Sequence, residues 1–184
     1  MPTDLDPGRG PAVRPATSSQ PGVPLLDDPS LDAWKAFLHA HARLTRRLDE
    51  ELQAAHGLSL AEYDALLQLV RSPGRRLRMS TLADRVLLSR SGVTRLVDRL
   101  VADGMVQRSQ CSTDARGAEA ALTAKGVDAL RVASGTHLEG VRRYFLEIVG
   151  PGDQVAIARG LSAVIDGIEG PGAAEATCAM AADA

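Results

Sequence analysis

The sequence predicts a mainly α fold of the α+β class, with helices from both ends of the chain accompanying a small winged helix-turn-helix lobe. Three observations lead there. Apolar residues recur at helical spacing over most of residues 31–169. Two short helical stretches, at about 81–87 and 90–102, are separated only by a tight turn. The segment 105–123 combines the alternation of strands with turn chemistry at 112–117. Two helices joined by a turn and followed by a hairpin form a winged helix-turn-helix, a motif that places its second helix in a DNA major groove.

Residues 1–29 are rich in Pro, Gly, Ser and Thr without period and read as a disordered arm. The first helix begins near Ser30 or Leu31 and carries Trp34, Phe37, Leu38, His41, Leu44, Leu48 and Leu52 on one stripe, ending at His56-Gly57. Ser59 and Glu62 have the spacing of a capping box for a second helix that buries Tyr63, Leu66, Leu67 and Val70. "SPG" at 72–74 stops it, and "RRLRM" at 75–79 reads as extended. Ser80 is the expected cap of the short third helix, with Leu82, Ala83 and Val86 inward. Ser89 caps the fourth, which runs to Asp103-Gly104. "MVQRSQC" then reads as a strand, "STDARG" as a turn, and "AEAALT" as a returning strand that needs pairing, because alanine and glutamate favour strands poorly. A long helix is expected from about Ala124 to Val149. A last one follows from "PGD" at 151–153, with the stripe Val155, Ala158, Leu161, Val164, Ile165 and Ile168. Residues 170–184 read as a flexible tail. The expected division is therefore a winged lobe at 57–123 and a helical dimerisation region at 30–56 and 124–169.

Composition narrows the function. With 3% aromatic residues, the core has to be built from Leu, Val, Ala and Ile. No apolar run approaches the roughly 18 residues of a membrane span, and the N-terminus lacks the apolar core of a secretory signal, so a cytoplasmic protein is expected. The net charge of −2 hides a division. Residues 71–116 hold ten arginines against four acids, whereas the rest of the chain holds 11 basic and 19 acidic residues. A basic block on an acidic body suits a polyanion. Catalytic signatures are missing: there is no G-x-S-x-G, no phosphate-binding glycine loop and no metal-spaced His/Cys cluster, and neither enzyme activity nor a cofactor is expected.

The helix "SRSGVTRLVDRL" shows why the basic block points to DNA. Val93, Leu96, Val97 and Leu100 form its inward stripe. The opposite face carries Ser91, Thr94, Arg95 and Asp98, with Arg90 and Arg99 flanking. Merely solvated faces favour Glu and Lys, which are better helix formers than Ser, Gly or Thr. Short hydroxyls reach phosphates without filling a groove, arginine forks read guanine edges, and the free amides after Ser89 favour a phosphate. Gly92 within the helix costs up to about 1 kcal/mol relative to alanine and is read as admitting close backbone approach.

"LADRVLLSRSGVTRLVDRLVADGMVQR" followed by "DARGAEAALTAKG" resembles the MarR family of bacterial transcription regulators. The wing and its exit read Asp114-x-Arg116, then Leu122-Thr123-x-x-Gly126. The resemblance implies a homodimer formed by the terminal helices, binding to palindromic double-stranded DNA, most often repression, and commonly a small effector that lowers DNA affinity. It places Ser89, Arg90, Ser91, Thr94, Arg95 and Arg99 on the recognition helix. It makes Arg116 the wing-tip residue of the minor groove and Asp114 its structural partner. Ala115 departs from the usual Asp-Arg-Arg wing.

For an effector, Trp34 and Phe37 offer ring contacts and His41 a polar anchor, with His137 as a second histidine able to face the same cleft. A core or interface role for His41 stands beside that reading. Four scattered histidines without Cys or Glu at ligand spacing do not suggest a metal site. Cys111, three residues after Arg108 at the wing base, offers an alternative in which the regulator responds to thiol oxidation; a structural thiol is the competing reading. Cys178 is the other cysteine and lies in the tail.

Overall fold

The computed structural model describes residues 31–111 and 114–173, with the side chains of 110, 111 and 114–117 outside the description. The arm expected at 1–29 and residues 174–184 of the expected tail lie outside the described residues. The chain divides into two compact units, Met1–His39 and Ala40–Ala184. In the first, Trp34 and Phe37 stand on the opening turns of α1 with ring centroids 6.0 Å apart.

The helix α1 runs Asp32–His56, and in the second unit it buries Leu48 and Leu52. It stops where Gly57 turns to φ +67° and donates its N–H to the Gln53 carbonyl at 3.0 Å. α2, Leu60–Val70, begins with the expected capping box. It buries Tyr63 and Leu66 as expected, but together with Ala65 and Leu69; Leu67 and Val70 are only half-buried. The buried arc is broader because α2 is packed by several later elements rather than by one.

β1, Arg76–Arg78, leads directly into α3, Met79–Arg85. The expected cap Ser80 therefore lies inside the first turn. The cap position falls on Arg78, which makes no side-chain cap bond, since it is the last residue of a strand paired with β3. α4, Arg90–Ala102, buries Val93, Leu96, Val97 and Leu100 as its stripe requires.

The wing is larger than a hairpin. β2 (Val106–Cys111) and β3 (Asp114–Leu122) pair antiparallel, and β1 adds on the far side, giving the order β1-β3-β2. β3 starts inside the segment expected to be turn. Its alanines are held extended by partners on both sides: Ala121 opposite Arg76 and Gln107, Ala120 opposite Leu77 and Arg108. Ala120 is fully buried, so the small side chain lets the sheet close onto the core.

α5 spans Ala124–Val141 and then widens into a π-helical turn, Arg142–Leu146, instead of continuing to Val149 as α-helix. Thr123 caps it, accepting from the Gly126 N–H at 3.1 Å and donating to the Gly104 carbonyl at 2.8 Å. A Cβ on Gly126 would lie 2.2 Å from the Met105 carbonyl oxygen, so only glycine fits that approach. α6, Pro151–Glu169, buries none of its residues. One core joins α1, α2, α3, α4, β2, β3 and α5 through Leu52, Leu66, Leu82, Leu96, Val106, Ala120 and Leu130. Among the described residues no helix is long and apolar enough to cross a membrane.

Candidate nucleic-acid interface

The core fixes which face of α4 is turned outward. With Val93, Leu96, Val97 and Leu100 buried, all six residues expected on the recognition helix are exposed: Ser89, Arg90, Ser91, Thr94, Arg95 and Arg99. Ser89 starts the helix as expected, its Oγ accepting from the Gly92 N–H at 3.1 Å and lying 3.2 Å from the Ser91 hydroxyl. The hydroxyl of Thr94 donates to the Arg90 carbonyl at 2.8 Å. Gly92 serves the turn: a Cβ there would meet Ser89 Oγ at 3.2 Å and Leu88 Cβ at 3.5 Å.

The exposed arginines divide into two kinds. Among the described residues, the side chains of Arg90 and Arg95 have no hydrogen-bond or ion-pair partner. Arg99, in contrast, donates from Nε to the Glu62 carboxylate at 2.6 Å. A further basic residue, Arg108 on β2, pairs with Asp98 at 2.8 Å and donates to the Thr94 carbonyl at 3.1 Å. Sequence reasoning did not single out Glu62 or Arg108 for this surface, because both act through partners distant in the chain. The backbone of Asp114 opens β3 opposite Cys111. The side chains of Asp114, Arg116 and Cys111 lie outside the described residues, as does Cys178.

A second feature lies within the Ala40–Ala184 unit. An open cavity of about 620 Å³ is lined by residues that include His41, Arg46, Asp49, Tyr63, Asp64 and His137. The two histidines considered for a cleft thus share one cavity. The His137 ring stacks on Tyr63 at 4.5 Å, and burial lowers its proton affinity. Burial also pushes the Asp64 carboxyl up, against the opposing effects of a hydrogen bond from Gln68 and the Arg71 charge. Tyr63 and Asp64 were not legible as cavity residues, since α2 reads as a core helix. His56 is bound elsewhere, with Nε2 2.7 Å from the Thr136 hydroxyl.

The MarR family model matches residues 56–117. The chain is 32% identical to AbsC, a MarR family transcriptional regulator from Streptomyces coelicolor, over 75% of this chain and 93% of that one, with a TM-score of 0.69. It is 33% identical to Sco3205, a MarR family transcriptional regulator from the same organism whose crystal structure is a complex with DNA, over 74% of this chain and 89% of that one, with a TM-score of 0.70. A MarR family transcriptional regulator from Silicibacter pomeroyi is 30% identical over 75% and 94%, with a TM-score of 0.63. No curated protein sequence matches. With the winged lobe, the exposed polar face of α4 and these likenesses together, the chain belongs to the MarR family of DNA-binding transcriptional regulators.

Proposed function

We propose that the protein is a cytoplasmic homodimer that represses transcription by occupying a palindromic operator, with α4 in the major groove and the wing in the adjacent minor groove. The observation that carries this reading is the outward face of α4, where short hydroxyls and two arginines, Arg90 and Arg95, without a side-chain partner among the described residues, stand opposite a fully buried stripe. That Sco3205, 33% identical to this chain, was crystallised in complex with DNA supports DNA binding. Residues 57–123 then form the reading lobe, and 30–56 with 124–169 the dimerisation region. Arg95 reads base edges, Ser89, Arg90, Ser91 and Thr94 meet backbone or bases, and Arg116, oriented by Asp114, enters the minor groove. Arg95→Ala should cost about 1–3 kcal/mol in operator binding and relax base preference, while Arg116→Ala mainly weakens binding at A·T-rich flanks. Gel-shift titration measures both. Unchanged affinity in both variants contradicts the assignment.

The cavity is the site of a small effector carrying an acid or hydroxyl group, with His41 as its polar anchor; Trp34 and Phe37, the other two residues expected to serve an effector, belong to the Met1–His39 unit and are not among the residues that line it. Its volume falls within the range of ligand sites, and its wall combines the rings of Tyr63 and His137 and the apolar Leu60, Leu67 and Val86 with the charged Arg46, Asp49 and Asp64. A ligand that favours one lobe spacing with a coupling of about 1–3 kcal/mol would lower operator affinity roughly 5- to 150-fold. Salicylate and related aromatic acids, titrated into the protein–operator complex, should release wild type and release His41→Ala less. Equal release removes His41 from the response; no release by a broad panel contradicts an effector of this class.

A further inference from the structure

The Ser59-x-x-Glu62 spacing predicts a capping box and nothing further, yet Glu62 has a second partner. Its Oε2 accepts from the Ser59 N–H at 2.9 Å and from the Ser59 hydroxyl at 2.8 Å, while its Oε1 accepts from Arg99 Nε at 2.6 Å. An ordinary capping carboxylate stays in water. This one is 7% exposed, and a buried carboxylate persists only when its oxygens are satisfied. Burial pushes its pKa up; the Ser59 N–H, the Arg99 guanidinium and the Ser59 hydroxyl outweigh that and hold it below the usual carboxylate range.

The pair has a mechanical setting. Behind Glu62, the first turn of α2 is tied to α1, because the Leu60 N–H donates to Asp49 at 2.7 Å. Ahead of it, Arg99 lies on the recognition helix one residue from Asp98, which is held by Arg108 of β2 at 2.8 Å. Consecutive residues therefore fasten α4 to α2 and to the wing. Arg95, one turn earlier than Arg99, has no such fastening among the described residues.

We infer that Glu62 is a positioning residue for DNA recognition, which acts through Arg99 to hold α4 against the first turn of α2, within the outward-facing orientation that the core sets, and so refines which bases Arg95 meets. Arg99 is then a strut rather than a base reader. The inference rests on the DNA-reading role proposed for α4.

The test uses the full-length protein and the duplex enriched from random DNA by the wild type, with an unrelated duplex of equal length as reference. Glu62→Gln, Arg99→Lys, Arg99→Ala and the Glu62→Gln/Arg99→Ala double variant are compared at several salt concentrations. Leu130→Ala, a truncation in the core of α5, controls for lost stability. Glu62→Gln and Arg99→Lys should each lower the preference for the enriched duplex about tenfold, the scale of one misread base pair, without changing the salt dependence. The double variant should be no worse than Arg99→Ala alone, since the two residues act as one unit. Leu130→Ala should lower the melting temperature and keep the preference. Wild-type preference in Glu62→Gln, together with a salt slope reduced by about one in Arg99→Ala, would show a direct phosphate contact and overturn the inference. Equal loss of preference in Leu130→Ala would reduce it to general destabilisation. A wild type that prefers no duplex would overturn the reading of α4 itself.

Discussion

His137 shows how a single side chain makes the fold sensitive to pH. Its ring lies against Tyr63, and its Nδ1 is buried with no hydrogen-bond partner among the described residues. Burial favours the neutral ring and so lowers the folded pKa below 6.5, the ordinary value. Above 6.5 the ring is neutral in both folded and unfolded chains. As pH falls below that value the unfolded chain takes up a proton first, and stability drops until the folded pKa is passed. The urea midpoint of the wild type should therefore fall between pH 7 and 5.5, and fall less in His137→Phe, which keeps a ring against Tyr63. Identical pH slopes would contradict this account. The same residue marks a limit of sequence reading. A histidine able to face a cleft is visible from helical spacing; its tyrosine partner on α2 is not, because the contact joins elements far apart in the chain.

At the scale of elements, legibility follows the range of the interaction. Ser59 and Ser89 were readable as caps because each bond closes within three residues. The inward stripe of α4 was readable because one helical period defines it. The Glu62–Arg99 bridge was not, since it spans 37 residues. Nor was the central place of β3, which depends on β1 pairing across two intervening helices. The exit of the wing combines both ranges. Thr123 caps α5 locally, while Gly126 permits the Met105 carbonyl to approach the first turn. Gly126→Ala would place a methyl against a backbone oxygen and the Leu122 side chain, and the helix start would have to shift. Overpacking of this kind costs about 1–3 kcal/mol. Thermal unfolding should show a lowered midpoint, despite the higher helix propensity of alanine; a raised midpoint would contradict the crowding.

At the scale of the whole molecule, two properties of the chain bear on assembly. Positive charge is concentrated in residues 71–116, while the remainder is acidic, so an approaching polyanion is directed to the lobe. The last helix leaves Val155, Leu161, Val164 and Ile168 exposed, at 68%, 37%, 56% and 79%. An apolar stripe on a helix with no buried residue is the surface expected of a subunit interface. A dimer reads two half-sites only if its recognition helices match the repeat of the duplex, about one turn of 10–10.5 base pairs. The most direct measurement is therefore selection from random DNA by the wild type and by Leu161→Arg, with sedimentation of each protein at sub-micromolar concentration. The wild type should sediment as a dimer and enrich one palindrome with half-sites one turn apart, and Leu161→Arg should lose both properties together. A folded wild-type monomer that enriches a single half-site, or a dimer that enriches nothing, would contradict the account.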